Sequence, residues 1–171
     1  MRRATRPGSA NSARSCSAEV IVVGVSASRR SRSISASGIG SPVCQWRAWR
    51  ADFMRFKDHG YSGWGSEGFW GLTIYRAQRG FGAMRPRVLT LPVRAVLGLL
   101  KKVYTLVTHI NLHQDAKIGP GLLIPHVGPI QVYPWATIGA DCAIHQVCTI
   151  GAGAKPGGPV IGDHVYIGCH T

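Results

Sequence analysis

Through the last third of the chain an aliphatic residue recurs at every sixth position, usually followed by Gly. The series runs Leu112, Ile118-Gly119, Ile124, then Val132, Ile138-Gly139, Ile144, Ile150-Gly151, then Ile161-Gly162 and Ile167-Gly168. Two residues before these lies a second apolar or small position, at Ala116, Leu122, Ile130, Ala136, Cys142, Cys148 and Val165. The spacing of six is broken twice, by offsets of eight (Ile124 to Val132) and eleven (Ile150 to Ile161). Six matches neither the 3.6 of a helix nor the alternation of a strand. It matches a parallel β-helix built of hexapeptide units, each residue stacking on its equivalent one coil above.

Upstream the pattern is different. Val88 to about Thr108 carries Leu91, Ala95, Leu99, Lys102 and Val103 at helical spacing, which predicts a long helix. Phe69, Leu72, Ile74 and Tyr75 predict a shorter amphipathic helix over Gly68–Arg79. Gly80 to Pro86 is expected to be a connector, and residues 52–67, punctuated by Gly60, Gly63 and Gly65, a loop or short turn. Residues 1–51 are Ser- and Arg-rich with Glu19 as their single acid, too poor in apolar surface to offset the entropy of ordering. The stretch also has the composition of a transit peptide, or of translated sequence upstream of a true start near Met54. The upstream reading fits best, because a recognisable domain begins only around Asp52. Three segments follow: a disordered basic 1–51, a helical 52–110 and a β-helix over 111–171. The repeat is still running at Ile167-Gly168 with no closing helix or cap, so a longer domain is expected.

The net charge of +13 changes this picture little. Most of it sits in residues 1–51, and the other cations are scattered among Gly, Pro and aliphatics with no nucleic-acid motif, which argues against nucleic-acid binding. No apolar run reaches the length of a membrane span; Val88–Ile110 is broken by Pro92, Arg94, Lys101 and Lys102. The cations of this second helix suit a membrane surface, although a solvated face is the commoner explanation. The five Cys show neither CxxC nor metal-ligand spacing, so no metal is expected. Cys142 and Cys148 read as reduced core thiols stacked on one face.

The stretches HINLHQDAKIGPGLLIPH, IQVYPWATIGADCAIHQVCTIG and GGPVIGDHVYIG, preceded by GFWGLTIYRAQR, resemble the serine O-acetyltransferases and related acetyltransferases of polysaccharide gene clusters. The resemblance covers roughly residues 52–171. It implies a left-handed β-helix, a cytoplasmic homotrimer or dimer of trimers with sites between neighbouring subunits, and acetyl-CoA as acyl donor. The reaction it implies is acetyl transfer to a hydroxyl, with serine as acceptor in the first step of cysteine biosynthesis.

By position His126 matches the family's general base; a neutral imidazole near pH 7 suits that task. Its rival role is a coil-corner His packed against a neighbouring subunit. His113 and His145 are candidates for the acceptor site, while His59, His109, His164 and His170 read as surface. The loop Ala152–Gly158 resembles the family's CoA-contacting insertion, with Gly151, Ala152, Gly153, Lys155, Gly157 and Gly158 as candidate contacts; a plain surface excursion is equally compatible. Two positions depart from the family pattern. Asn111 stands where the serine enzymes carry a carboxylate partner for the base, and it can orient the ring but not neutralise it. Gly157-Gly158 stand where an Arg-His pair helps bind the amino acid. That second departure raises a sugar hydroxyl, on an exopolysaccharide or lipid-linked sugar, as an alternative acceptor. An inactive truncated product is the third reading.

Overall fold

Ser41 accepts a hydrogen bond from Cys44 N through its side chain and Pro42 follows, a preorganised helix start. Helix α1, Pro42–Asp58, grows from it. The structure, a computed structural model, describes residues 41–84, 87–151 and 158–171. The loop expected across 52–67 is therefore confined to residues 59–66, and its first part is the end of α1. Ala48, Asp52 and Phe56 form the buried stripe of α1, at spacings of four. Of the segment expected to lack packing, residues 1–40 lie outside the described residues, and 42–51 are helical.

Helix α2 runs Glu67–Ala83 and α3 runs Arg87–Thr108. The connector expected from Gly80 is thus still helix as far as Ala83. Gly80 is buried against Gln45 of α1, and packing outweighs the roughly 1 kcal/mol by which Gly disfavours a helix.

Among the described residues eight short strands follow: β1 Ile110–Leu112, β2 Lys117–Ile118, β3 Ile130–Val132, β4 Thr137–Ile138, β5 Ala143–Ile144, β6 Cys148–Ile150, β7 Val160–Ile161 and β8 Tyr166–Ile167. They visit three parallel sheets in rotation, β1-β3-β6, β2-β4-β7 and β5-β8, with Leu123 bridged to Ala143 beneath the third. This is a three-sided stack of parallel coils, as the period of six requires. Ile130 pairs with Cys148, 18 residues on, which is three hexapeptides. Pairs that span the His126 loop are 20 apart, as Ile118 and Ile138. Those that span residues 152–157 are 23 apart, as Ala143 and Tyr166. The two interruptions of the repeat therefore add two and five residues to their coils.

The repeat aliphatics Ile118, Ile138, Ile144 and Ile150 point inward and are buried. Gly119 and Gly139, which follow the first two, stack closely: a Cβ on Gly119 would come within 2.6 Å of the Gly139 carbonyl carbon. Cys142 and Cys148 are buried and free, as expected, but they do not share a face. A step of six leads to the next side of the prism, and only a full coil returns to the same side. Cys148 stacks over Ile130 on the first sheet, while Cys142 precedes β5 on the third. Their thiols point at Gly168 O (2.8 Å) and Gly162 O (3.1 Å).

The three helices cap the first coil, chiefly through α2. Leu72 and Tyr75 are buried on it, and Tyr75 Oη donates to Ala116 O at 2.6 Å. Arg76 and Asp52 form a buried pair (2.9 Å) whose remaining valences are met by the coil. Arg76 donates to Ile118 O and Gly119 O, and Asp52 Oδ1 accepts from Gly121 N and Leu122 N. Such a buried, multiply bonded network fixes the angle at which helices and coil meet.

Candidate active site

The corner loop after Ile124 carries His126, and two contacts position it. Gly68 at the start of α2 lies so close to Ile124 that a Cβ would sit 2.8 Å from the Ile124 Cβ. The Tyr61 ring stands edge-on to the His126 imidazole, with centroids 6.4 Å apart. The α1–α2 loop and the helix behind it thus brace the segment on which His126 projects.

One coil on, His145 at the end of β5 lies 5.6 Å from His126, centroid to centroid, and Tyr166 of β8 lies 4.8 Å from His145. The two positions stack because Ile144 and Ile167 are in register. Partial burial, and then the nearby His126, lower the pKa of His145 below the ordinary imidazole value. A cleft of about 320 Å³ opens beside this column, lined by Tyr61, Pro125, His145, Tyr166, Arg55 and Asp141. Arg55 and Asp141 approach to 3.6 Å at its rim. His59 and His164, read as surface from sequence, also line this cleft. His126 is exposed and adjoins the cleft through His145 rather than lining it.

The other candidate residues lie apart from this column. Asn111 Nδ2 donates to Gln131 Oε1 (3.1 Å), its stacked neighbour on β3, and among the described residues no hydrogen bond links it to His126. His113 turns to its own loop, where its Nδ1 accepts from Asp115 N (3.2 Å) and lies 3.6 Å from the Asp115 carboxylate. Of the candidate CoA contacts, Ala152, Gly153, Lys155 and Gly157 lie outside the described residues. Gly151 packs against the Tyr133 ring, and Gly158 lies against Trp135. A Cβ on Gly158 would collide with the Trp135 carbonyl, so no larger residue fits there with this backbone.

Sequence reading missed Tyr61 and Tyr166. Tyr61 lies in a region without periodicity, and Tyr166 occupies an outward position of the repeat, where polarity carries no signal. Chemically, the column offers an imidazole near a second imidazole held below its usual pKa, with a phenol at each end. That set can accept a proton from a hydroxyl and donate hydrogen bonds to an oxygen.

No family model and no curated protein sequence matches the chain. Solved structures do. Neisseria gonorrhoeae serine acetyltransferase in complex with serine matches with a TM-score of 0.58 at 19% identity, covering 75% of this chain and 54% of that one. Serine acetyltransferase isoform 3 of Entamoeba histolytica in complex with cysteine gives 0.59 at 23%, covering 75% and 47%. The soybean apoenzyme gives 0.57 at 25%, covering 74% and 52%. The chain thus spans about half the length of the structures it matches. In fold, the chain is of the serine acetyltransferase type.

Proposed function

We propose that the chain is an acetyl-CoA-dependent O-acetyltransferase of the serine acetyltransferase type, with a left-handed coil and a trimeric assembly. The observation that carries the reading is the His126–His145–Tyr166 column beside an open cleft, on a fold shared with serine acetyltransferases. His126 takes the proton of an acceptor hydroxyl as its oxygen attacks the thioester carbonyl of acetyl-CoA. The tetrahedral oxyanion collapses, expelling CoA as thiolate, and the proton on His126 goes to that sulfur. His145, held toward its neutral form, adds no competing positive charge beside the base. Its ring and the phenol of Tyr166 can hydrogen-bond the acceptor. The amide nitrogen of Asn111 is engaged with Gln131, so Asn111 can orient His126 only if its Oδ1 is brought to Nδ1–H in the assembled site. His113 is a second acceptor-side candidate. Gly151, Ala152, Gly153, Lys155, Gly157 and Gly158 are the candidate contacts for CoA.

Gly158 favours a second acceptor reading. The Trp135 carbonyl excludes the side chain that serine enzymes carry at this position, and two adjacent glycines offer no cation to an amino-acid carboxylate. A sugar hydroxyl, as on an exopolysaccharide or lipid-linked sugar, needs no such cation. Thiol release from acetyl-CoA, with L-serine and with hexose or N-acetylhexosamine acceptors in parallel, separates the two. A sugar-dependent rate without a serine-dependent rate is expected under the second reading, and the reverse under the first. Absence of acceptor-dependent release from folded, assembled protein would contradict both.

A further inference from the structure

Helix α3 is inside out. The side it turns toward α2 and the first coil carries Thr90, Leu97, Lys101, Tyr104 and Thr108, none of them exposed and four of them polar. Tyr104 Oη donates to Glu67 O (2.6 Å) and Gln78 Nε2 to Leu97 O (3.4 Å), so this side is held by polar contacts. The opposite side carries Leu89, Val96 and Val103, seven residues apart, and Leu99 and Leu106 beside them. These five side chains are 51–74% exposed. On a helix of 3.6 residues per turn they form one continuous apolar stripe over the whole element, wider than the two positions per heptad of a coiled-coil seam. An exposed apolar patch of that extent marks an interaction surface.

The charge around the stripe identifies what covers it. Arg94 and Lys102 are exposed along one edge, and α3 contains no Asp or Glu. Two copies docked through this face would bring the cations of both into one interface with no acid in either helix to pair them. An anionic headgroup layer accepts both features, the acyl region taking the stripe and the phosphates the cations. No described helix is long and apolar enough to cross a membrane, so α3 would lie along the surface.

We propose that the outward face of α3 docks the protein on the surface of an anionic bilayer. This goes beyond the acyl-transfer reading and does not depend on it. The probe is sedimentation of the full chain with vesicles of pure phosphatidylcholine and of phosphatidylcholine with phosphatidylglycerol in equal parts. The chain is expected on the anionic vesicles, with partitioning that weakens as salt rises. Val96→Glu with Val103→Glu, both exposed sites that leave the packed side untouched, should reduce partitioning at least tenfold. Arg94→Glu with Lys102→Glu should reduce it about fivefold or more and abolish the preference for anionic lipid. Circular dichroism and sedimentation velocity on each variant show that fold and assembly are kept. Absence of binding by the wild-type chain would overturn the proposal. So would equal binding by Val96→Glu/Val103→Glu. Dissociation of an oligomer in that variant, without vesicle binding by the wild type, would assign the face to a second copy instead.

Discussion

At the scale of single residues, the coil corners and the histidine column carry the sharpest predictions. Among the described residues, five that are not glycine adopt positive φ: His109, Asp141, Val147, His164 and His170. Asp141 and His164 stack over Gly121, itself at φ 76°, in one column of left-handed corners. Val147 is the outlier, because a β-branched side chain is costly at φ 60°. It is partly exposed, so Val147→Asn should stabilise the protein by about 1 kcal/mol in urea unfolding. For His145, burial and the nearby His126 place the folded pKa below the unfolded value of 6.5. Its contribution to stability is therefore present above that pH and is lost as pH falls, because the unfolded chain then binds more protons. Proton NMR should show His145 titrating below the ordinary range. His126→Gln should raise its midpoint while leaving it short of the ordinary value, since burial remains. An unchanged midpoint would separate the two rings electrostatically. The His126 candidate was legible in the sequence through its motif. Tyr61 and Tyr166 were not, because their contacts depend on how coil corners stack in space.

At the scale of elements, the period of six gave the register, inward residues and loop positions of the coils. The same logic failed for the two Cys, since a linear spacing does not say that six residues turn the chain onto the next side. Helix α1 was hidden for another reason. Its first ten residues share the Arg-rich composition of what precedes them, although Trp46, Trp49, Phe53 and Phe56 keep helical spacing. The Asp52–Arg76 network, which ties α1 and α2 to the first coil, joins residues that no local pattern connects. Asp52→Ala should cost about 3–5 kcal/mol, because it leaves Arg76 buried without its counter-charge. Chemical denaturation measures this, and a loss below about 1 kcal/mol would place the pair in contact with water. Within the coils, Gly119→Ala should cost about 1–3 kcal/mol, since the added methyl meets backbone of the next coil rather than a mobile side chain.

At the scale of the whole molecule, a helical cap and a three-sided coil stack share one apolar core crossed by the Asp52–Arg76 network, and the cleft opens beside that junction. Burial pushes the thiols of Cys142 and Cys148 up and keeps them inert, whereas Cys169 is exposed. Native labelling should therefore modify Cys169 quickly and the other two only on unfolding; rapid reaction at Cys148 would mean that the coils open. The central claim is that His126 is the base of an acetyl transfer. Its most direct test is acceptor-dependent thiol release from acetyl-CoA by the wild-type chain and by His126→Ala. Circular dichroism and sedimentation show that each is folded and equally assembled. The account predicts a loss of about 10²–10⁴-fold in turnover, with CoA binding retained. Unchanged turnover in folded His126→Ala would contradict it.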